Sequence, residues 1–228
     1  YLGYQYVWEL ETYLRIGQEQ TLIGTARSVA TALHERPALF AQGSAFLQSV
    51  RPGKELFAHA IYQPIRLDGQ LQDWSEYAPQ FMQYDERHLI LQNTAYSSHS
   101  LHVTHMVGQF GRYLYVMFDV NDDVLVYRNE NMLSIHKNDF IQIAMRDEFG
   151  QFQRYIVAPY QAGWVNAYQL KANDDTSPVT QRYQPEQLER RIQGFWREKA
   201  TGYQVELRFP LSMLQGNITF AISDVDDI

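Results

Sequence analysis

The sequence predicts a mainly β protein: an antiparallel β-sandwich preceded by a long N-terminal α-helix. Apolar residues recur at three- and four-residue spacings over residues 2–35, which is the period of a helix. Later segments alternate apolar and polar residues with a period of two, and turn residues separate these segments at short intervals. The 228 residues are enough for one large β domain with a helical extension.

The N-terminal helix is predicted from an apolar stripe. Val7, Leu10 and Leu14 begin this stripe, and Pro37 biases the residue before it out of the helical conformation. The stripe is narrow, which is typical of a helix that pairs with another helix rather than with a deep core. We therefore expect residues 2–35 to form a long helix that pairs with its counterpart in a second subunit, giving a homodimer.

A break in the helical pattern places the predicted domain boundary. A second, shorter helical stretch at residues 38–50 ends before Pro52 and Gly53, which are strong helix breakers. The sequence thus divides into a helical segment at residues 1–52 and a sandwich at residues 53–228.

Strands are predicted where the period is two. Residues 113–120, 140–145 and 203–209 each alternate in this way, and Gly-containing turns lie between them. The polar, Gln-rich stretch at residues 171–198 shows no such alternation, and we expect a long loop there with a helical turn at residues 185–191.

Composition and motifs exclude several classes of function. A net charge of -7 without a cluster of Lys and Arg excludes a general nucleic-acid binder. The chain has no cysteine, which removes disulfides, thiolate metal sites and cysteine nucleophiles. No phosphate loop or serine elbow occurs, and no spacing fixes Glu206 and Asp139 as a glycosidase pair. We therefore predict no catalysis in this chain.

Acidic residues follow two of the predicted strands. Closely spaced oxygen ligands in loops are what calcium uses in proteins, although Asp and Asn are also common in ordinary turns. We expect a structural calcium ion as the cofactor, held by Asp119, Asn121, Asp122, Asp123, Asp224, Asp226 and Asp227.

The tryptophans indicate where a ligand would bind. Trp74 follows an Asp-Gly turn and is expected to pack back onto a strand as part of the core. Trp164 and Trp196 lie near loop-like segments, where they could form a stacking platform for a sugar. Packing at the edge of the core is the alternative for both.

An ordered set of segments resembles a known family. The segments are IRLDGQLQDW at 65–74, GRYLYVMFDVND at 111–122, NDFIQI at 138–143, GYQVELRFPL at 202–211 and ISDVDD at 222–227. This series is similar to the family-nine carbohydrate-binding modules and their relatives. The resemblance implies a sandwich fold, a structural calcium ion and a glycan as the ligand.

The N-terminal segment carries a second resemblance. LGYQYV at 2–7, GQEQ at 17–20 and ATALHERP at 30–37 resemble the segment after the first transmembrane helix of a proteobacterial sensor histidine kinase family, that of the dedicated sortase system. Tyr1, Tyr4, Tyr6 and Trp8 agree with a position at a membrane interface. This resemblance implies a membrane-anchored protein of the inner membrane, with this chain as its periplasmic domain.

These observations favour an extracytoplasmic sensor domain of a two-component histidine kinase. Its ligand would be an unknown periplasmic molecule or protein, or a glycan. The alternatives are a binding module of a secreted carbohydrate-active enzyme and a purely structural dimerisation domain.

Overall fold

The secondary structure consists of strands and short 3-10 segments in the part of the chain that the computed structural model describes. That part comprises residues 23–27, 55–56, 58–85, 88, 101–129, 138–170, 187–215 and 217–225. Its strands are β1 (Ile23–Arg27), β2 (Glu55–Leu56), β3 (Ala58–Ala60), β4 (Met82–Tyr84), β5 (Leu101–Phe110), β6 (Tyr113–Asp122), β7 (Phe140–Arg146), β8 (Phe152–Val157), β9 (Gly163–Leu170), β10 (Gln187–Lys199), β11 (Gly202–Pro210) and β12 (Asn217–Ser223). The 3-10 segments are Leu71–Gln80 and Leu211–Met213.

These strands form one continuous, mostly antiparallel sheet. Its order is β2-β1-β12-β7-β8-β9-β10-β11-β6-β5-β3, and β4 is added to β5. Hairpins supply most of this order: β5 and β6, for example, are paired along their whole length around Gly111, which has a φ of 57°. A left-handed residue suits the two-residue connection because it matches the twist of the strands.

The sheet curls over so that distant strands face each other. The ring of His105 on β5 stacks on that of Phe118 on β6, with 4.4 Å between the ring centroids. The Phe220 ring of β12 packs edge-on against both, at centroid distances of 5.4 Å from His105 and 5.6 Å from Phe118. Because β12 lies far from β5 and β6 along the sheet, this contact requires the two halves to pack face to face. The main core lies between them and takes its residues from strands β3 to β12. The predicted mainly β sandwich is confirmed.

A second apolar layer covers the outer face of β5 and β6. Trp74 and Tyr77 of the 3-10 segment Leu71–Gln80 are buried against Met106, Tyr115 and Met117. The inward residues of β6, which alternate with Tyr115 and Met117, belong to the main core. β6 is therefore buried on both faces, and the prediction that Trp74 packs back onto a strand is confirmed.

The predicted strands at 113–120, 140–145 and 203–209 are present as β6, β7 and β11. The predicted helical turn at 185–191 and the predicted loop from residue 187 to 198 are wrong, because β10 spans Gln187–Lys199. Residues 171–186 of the predicted loop lie outside the described residues. In its pairing with β9, Glu189 lies opposite Ala167 and Gln193 opposite Asn166, so β10 carries extra residues at this point. A bulge of this kind shifts the alternation and conceals the strand from a period-two pattern.

The predicted helix at residues 2–35 is interrupted by a strand. β1 pairs with β12 and β2, so its backbone hydrogen bonds run between strands rather than within a helix. The other residues of that range lie outside the described residues. β1 precedes the predicted boundary at Gly53, yet it belongs to the same sheet as the sandwich. No helix among the described residues is long and apolar enough to cross a membrane.

Candidate functional site

Three aspartates meet at one end of the sandwich. Asp122 ends β6, Asp139 immediately precedes β7, and Asp224 immediately follows β12. β7 and β12 are paired up to Phe140 and Ser223, which brings the last two aspartates together. One carboxylate oxygen of each residue lies within 4.8 Å of those of the others. We call these residues the aspartate cluster.

Backbone amides of the connecting loops hold the aspartate cluster in place. Asp139 accepts hydrogen bonds from Val126 N at 2.7 Å and from Val225 N at 2.9 Å. Asp122 accepts one from Val124 N at 2.9 Å. The cluster therefore fixes both the loop that follows β6 and the chain that follows β12.

The surroundings of the aspartate cluster suit a hard cation. Tyr203 is fully buried; burial, followed by the charges of Asp139, Asp122 and Asp224, raises its pKa well above the ordinary value. Its hydroxyl oxygen has no hydrogen-bond partner among the described residues. All of these atoms are oxygens, and ligands on opposite sides of a calcium ion lie about 5 Å apart. The donor set and its spacing therefore fit calcium.

The other predicted calcium ligands lie elsewhere. Asp119 and Asn121 accept hydrogen bonds from the Lys199 ammonium at 2.5 and 2.7 Å, so that cation neutralises the Asp119 carboxylate and already uses the Asn121 oxygen. Asp123 is exposed. Asp226 and Asp227 lie outside the described residues. Sequence reasoning missed Asp139 as a member of the aspartate cluster, although its position at the start of a predicted strand was a usable signal.

A cavity of about 430 Å³ opens beside Trp164. It is lined by the turn between β8 and β9 and by the first half of β9: Ala158, Pro159, Tyr160, Gln161, Ala162, Gly163, Trp164, Val165, Asn166 and Tyr168. The Trp164 side chain is 56% exposed and that of Tyr160 is 37% exposed. Aromatic faces next to a concave space with a few polar groups are typical of a small-ligand site.

Trp196 does not lie on this surface. Phe195, not Trp196, is directly opposite Trp164 in the β9–β10 pair, and neighbouring residues of a strand point to opposite faces. Trp196 therefore points into the main core, where it is fully buried and stacks on Tyr203 at 4.1 Å. Its burial removes it from the predicted stacking platform, and Trp164 remains.

Arg128 lies behind two walls of the cavity. Its guanidinium carbon is 4.9 Å from the ring centroid of Tyr160 and 5.3 Å from that of Tyr168. The residue is only 5% exposed, and its Nε and Nη1 atoms have no hydrogen-bond partner in the part of the chain that the structure describes. Its backbone amide donates to Pro159 O at 3.0 Å, which fastens the loop after β6 to the cavity rim. Sequence reasoning did not identify Arg128.

Glu206 is a structural group. Its carboxylate is fully buried and accepts hydrogen bonds from Trp74 Nε1 at 2.9 Å, Gly69 N at 2.8 Å and Asp68 N at 3.0 Å. Burial raises its pKa to about 7, while the three N–H donors oppose the shift. It lies beneath the outer apolar layer, whereas Asp139 lies in the aspartate cluster. The two carboxylates therefore have separate structural surroundings.

The aspartate cluster and the cavity share one end of the sandwich. Gly163 at the start of β9 pairs with Trp196, and Tyr203 on the next strand pairs with Val120, close to Asp122. The loop after β6 runs from the cluster to Arg128 at the cavity.

Comparison with known families gives one match. A family model described as "Carbohydrate family 9 binding domain-like" matches residues 68–224, from the Asp-Gly turn that Glu206 holds to the last residue of the aspartate cluster. Neither the curated proteins nor the solved structures give a significant match.

Proposed function

This chain belongs to the carbohydrate family 9 binding domain-like family, and from that premise we propose that it is a non-catalytic module that binds a glycan in the cavity beside Trp164. The observation that carries the proposal is the exposed indole at the edge of a 430 Å³ cavity. An indole exposed in this way offers a flat apolar face on which a sugar ring can stack. Membership of a binding-domain family supports recognition without turnover.

The aspartate cluster supports a structural calcium ion as part of this proposal. Asp122, Asp139 and Asp224 would supply carboxylate oxygens to the ion, and like charges at this short spacing repel one another. Calcium would neutralise this charge and stabilise the loop that follows β6. The ion would organise the binding end of the sandwich rather than react.

The family match supports the binding-module interpretation over the sensor interpretation. The kinase resemblance, the membrane anchor and the homodimer all rest on residues 1–37, of which only 23–27 are described, and those form β1. The periplasmic location has the same basis and stays a prediction. A glycan ligand agrees with both interpretations.

Binding to a broad glycan panel, followed by calorimetry on each hit, tests the proposed function. Trp164→Ala should weaken binding by about tenfold or more, because the sugar ring loses the apolar indole face on which it stacks. Phe149→Ala is the matched control, since Phe149 is 80% exposed at the turn between β7 and β8. Failure of every glycan to bind, or equal loss in both variants, would contradict the proposal.

A further inference from the structure

A row of side chains leads from the cavity beside Trp164 across the outer face of the sheet. Asn166 on β9 lies opposite Gln193 on β10, and Gln193 lies opposite Arg208 on β11. Residues that lie opposite each other in paired strands share a face of the sheet. Trp164 is two positions before Asn166 on β9, so its side chain points to the same face. The row therefore begins at the cavity, which Asn166 lines.

The row ends on a second aromatic ring, that of Tyr113 at the start of β6. The guanidinium carbon of Arg208 lies 4.9 Å from the centroid of this ring, and its Nη2 donates to Gln193 Oε1 at 2.5 Å. Tyr113 is 40% exposed, so the cation positions the ring without covering it. We call Trp164, Asn166, Gln193, Arg208 and Tyr113 the lateral strip.

The lateral strip is accessible along its length. Its two aromatic ends, Trp164 and Tyr113, are exposed, and the three polar side chains between them are partly exposed. The outer apolar layer stops before the strip: Glu206, two positions before Arg208 on the same face of β11, is buried beneath the Asp-Gly turn, whereas Arg208 is not. A ligand can therefore reach every member of the strip from solvent.

The two rings of the lateral strip are too far apart for one sugar residue. β10 and β11 lie between β9, which carries Trp164, and β6, which carries Tyr113. Because neighbouring strands lie about 4.8 Å apart, the ends of the strip are separated by roughly 14 Å or more. A saccharide that contacts both rings must therefore be a chain of several sugar residues.

The side chains between the two rings suit the hydroxyl groups of such a chain. The amides of Asn166 and Gln193 can both donate and accept hydrogen bonds. The guanidinium of Arg208 has five N–H donors, of which the bond to Gln193 uses one. A sugar chain has apolar ring faces and polar edges, so aromatic ends joined by such groups complement it.

Resting on the proposed function, we infer that the ligand is a linear oligosaccharide that occupies the whole lateral strip, with one sugar residue on Trp164 at the cavity and a later one on Tyr113. The cavity alone accounts for the binding of a short saccharide. The rest of the strip adds affinity only for a chain that is long enough to reach β6.

Matched chain lengths test this inference. Cellobiose and cellohexaose, xylobiose and xylohexaose, and chitobiose and chitohexaose are titrated by calorimetry, and any other linear glycan that binds on the broad panel is compared in the same two lengths. We expect the wild-type protein to bind one hexasaccharide about tenfold or more tightly than its disaccharide, because only the longer chain gains the second ring. Tyr113→Ala should remove most of this difference without changing the affinity for the disaccharide. Tyr113→Phe, which keeps the ring, should retain the difference.

Phe149→Ala is the matched control for the loss of an exposed aromatic side chain. Phe149 lies in the turn between β7 and β8, whereas the lateral strip extends from β9 in the opposite direction along the sheet. This variant should keep the preference for the longer chain, and Trp164→Ala should weaken the binding of both lengths. If Tyr113→Ala does not fold, Gln193→Ala, which removes a polar group from the middle of the strip, should lower the same affinity ratio.

The outcomes separate the two proposals. Equal affinity of the wild-type protein for both lengths, a length preference that Tyr113→Ala leaves intact, or an equal loss for both lengths in that variant would overturn the inference and leave glycan binding at the cavity intact. The same holds if no hexasaccharide binds while other glycans of the panel do. Failure of all sugars, both here and on the broad panel, would overturn the proposed function and the inference with it.

Discussion

The indole Nε1 of Trp74 donates a buried 2.9 Å hydrogen bond to Oε1 of Glu206, although the two residues are 132 positions apart in the chain. The other carboxylate oxygen accepts the amides of Asp68 and Gly69. One side chain on β11 therefore fixes both the Asp-Gly turn and the 3-10 segment that covers the outer face of the sheet.

Glu206→Gln should destabilise the domain by about 1–3 kcal/mol. The amide group would present N–H hydrogens to the indole or to the turn amides, and at least one buried donor would lose its acceptor. Urea unfolding measures the loss. Glu76→Gln, at an exposed position of the same 3-10 segment, should have little effect. Equal stability of the two variants would contradict the anchoring role of Glu206.

His105 should make the stability depend on pH. Its ring is fully buried, bonds Met117 O through Nδ1 at 2.7 Å, and has its pKa lowered by burial from 6.5 to about 4. Between these values the unfolded chain binds a proton that the native protein does not. The stability contributed by neutral His105 is therefore lost as pH falls from 6.5 towards 4, by up to about 3 kcal/mol.

The substitution His105→Phe removes the pH-dependent part of the stability that His105 contributes. Its destabilisation relative to the wild-type protein should be largest at pH 8 and should shrink as the pH falls from 6.5 towards 4. Unfolding free energies of both proteins, measured in urea across this range, give the difference directly. A difference that stays constant with pH would show that His105 does not carry the effect.

Substitution of Trp196 should lower stability, whereas substitution of Trp164 should leave stability nearly unchanged. Trp196→Ala removes a fully buried ring that stacks on Tyr203, and should cost about 3–5 kcal/mol. Trp164→Ala removes a side chain that is 56% exposed, and should change stability by less than about 1 kcal/mol. Thermal unfolding distinguishes the two. A large loss of stability in Trp164→Ala would mean that its indole is part of the core.

Gly194→Ala should strain the sheet. A Cβ at this position would lie 2.2 Å from the backbone oxygen of Glu206, so the two strands would have to separate. We expect a loss of about 1–3 kcal/mol, as for overpacking. At Gly194 the cause is a steric clash, whereas Gly111→Ala introduces a Cβ into open space and tests left-handed backbone strain alone. Unaltered stability of Gly194→Ala would contradict the close approach of the strands.

Calcium should raise the melting temperature if the aspartate cluster binds it. Saturating calcium should give a shift of roughly 3–8 °C for a domain of this size. Asp224→Asn should lose most of this shift. Asp119→Asn should keep it, because Asp119 pairs with Lys199 outside the cluster. A wild-type melting temperature that does not respond to millimolar calcium would rule out the calcium site.

Local sequence patterns were enough to predict the mainly β class and several strands. β6, β7 and β11 alternate with a period of two, and alternation is a local property that the chain carries wherever it folds. It also indicated that Trp74 packs on a strand, and it included Asp122 and Asp224 among the acidic residues that the structure brings together.

Tertiary structure decided which face each residue occupies and which distant groups meet. A period of two does not say whether Trp164 or Trp196 points inward, because this depends on strand register and on which face the other half of the sheet covers. The bulge in β10 also depends on how this strand pairs with β9. It interrupts the period-two pattern, so the strand could not be recognised from the sequence. Asp139 joins the aspartate cluster, and Arg128 reaches the two tyrosines, only because closure of the sheet brings the ends of separate strands together.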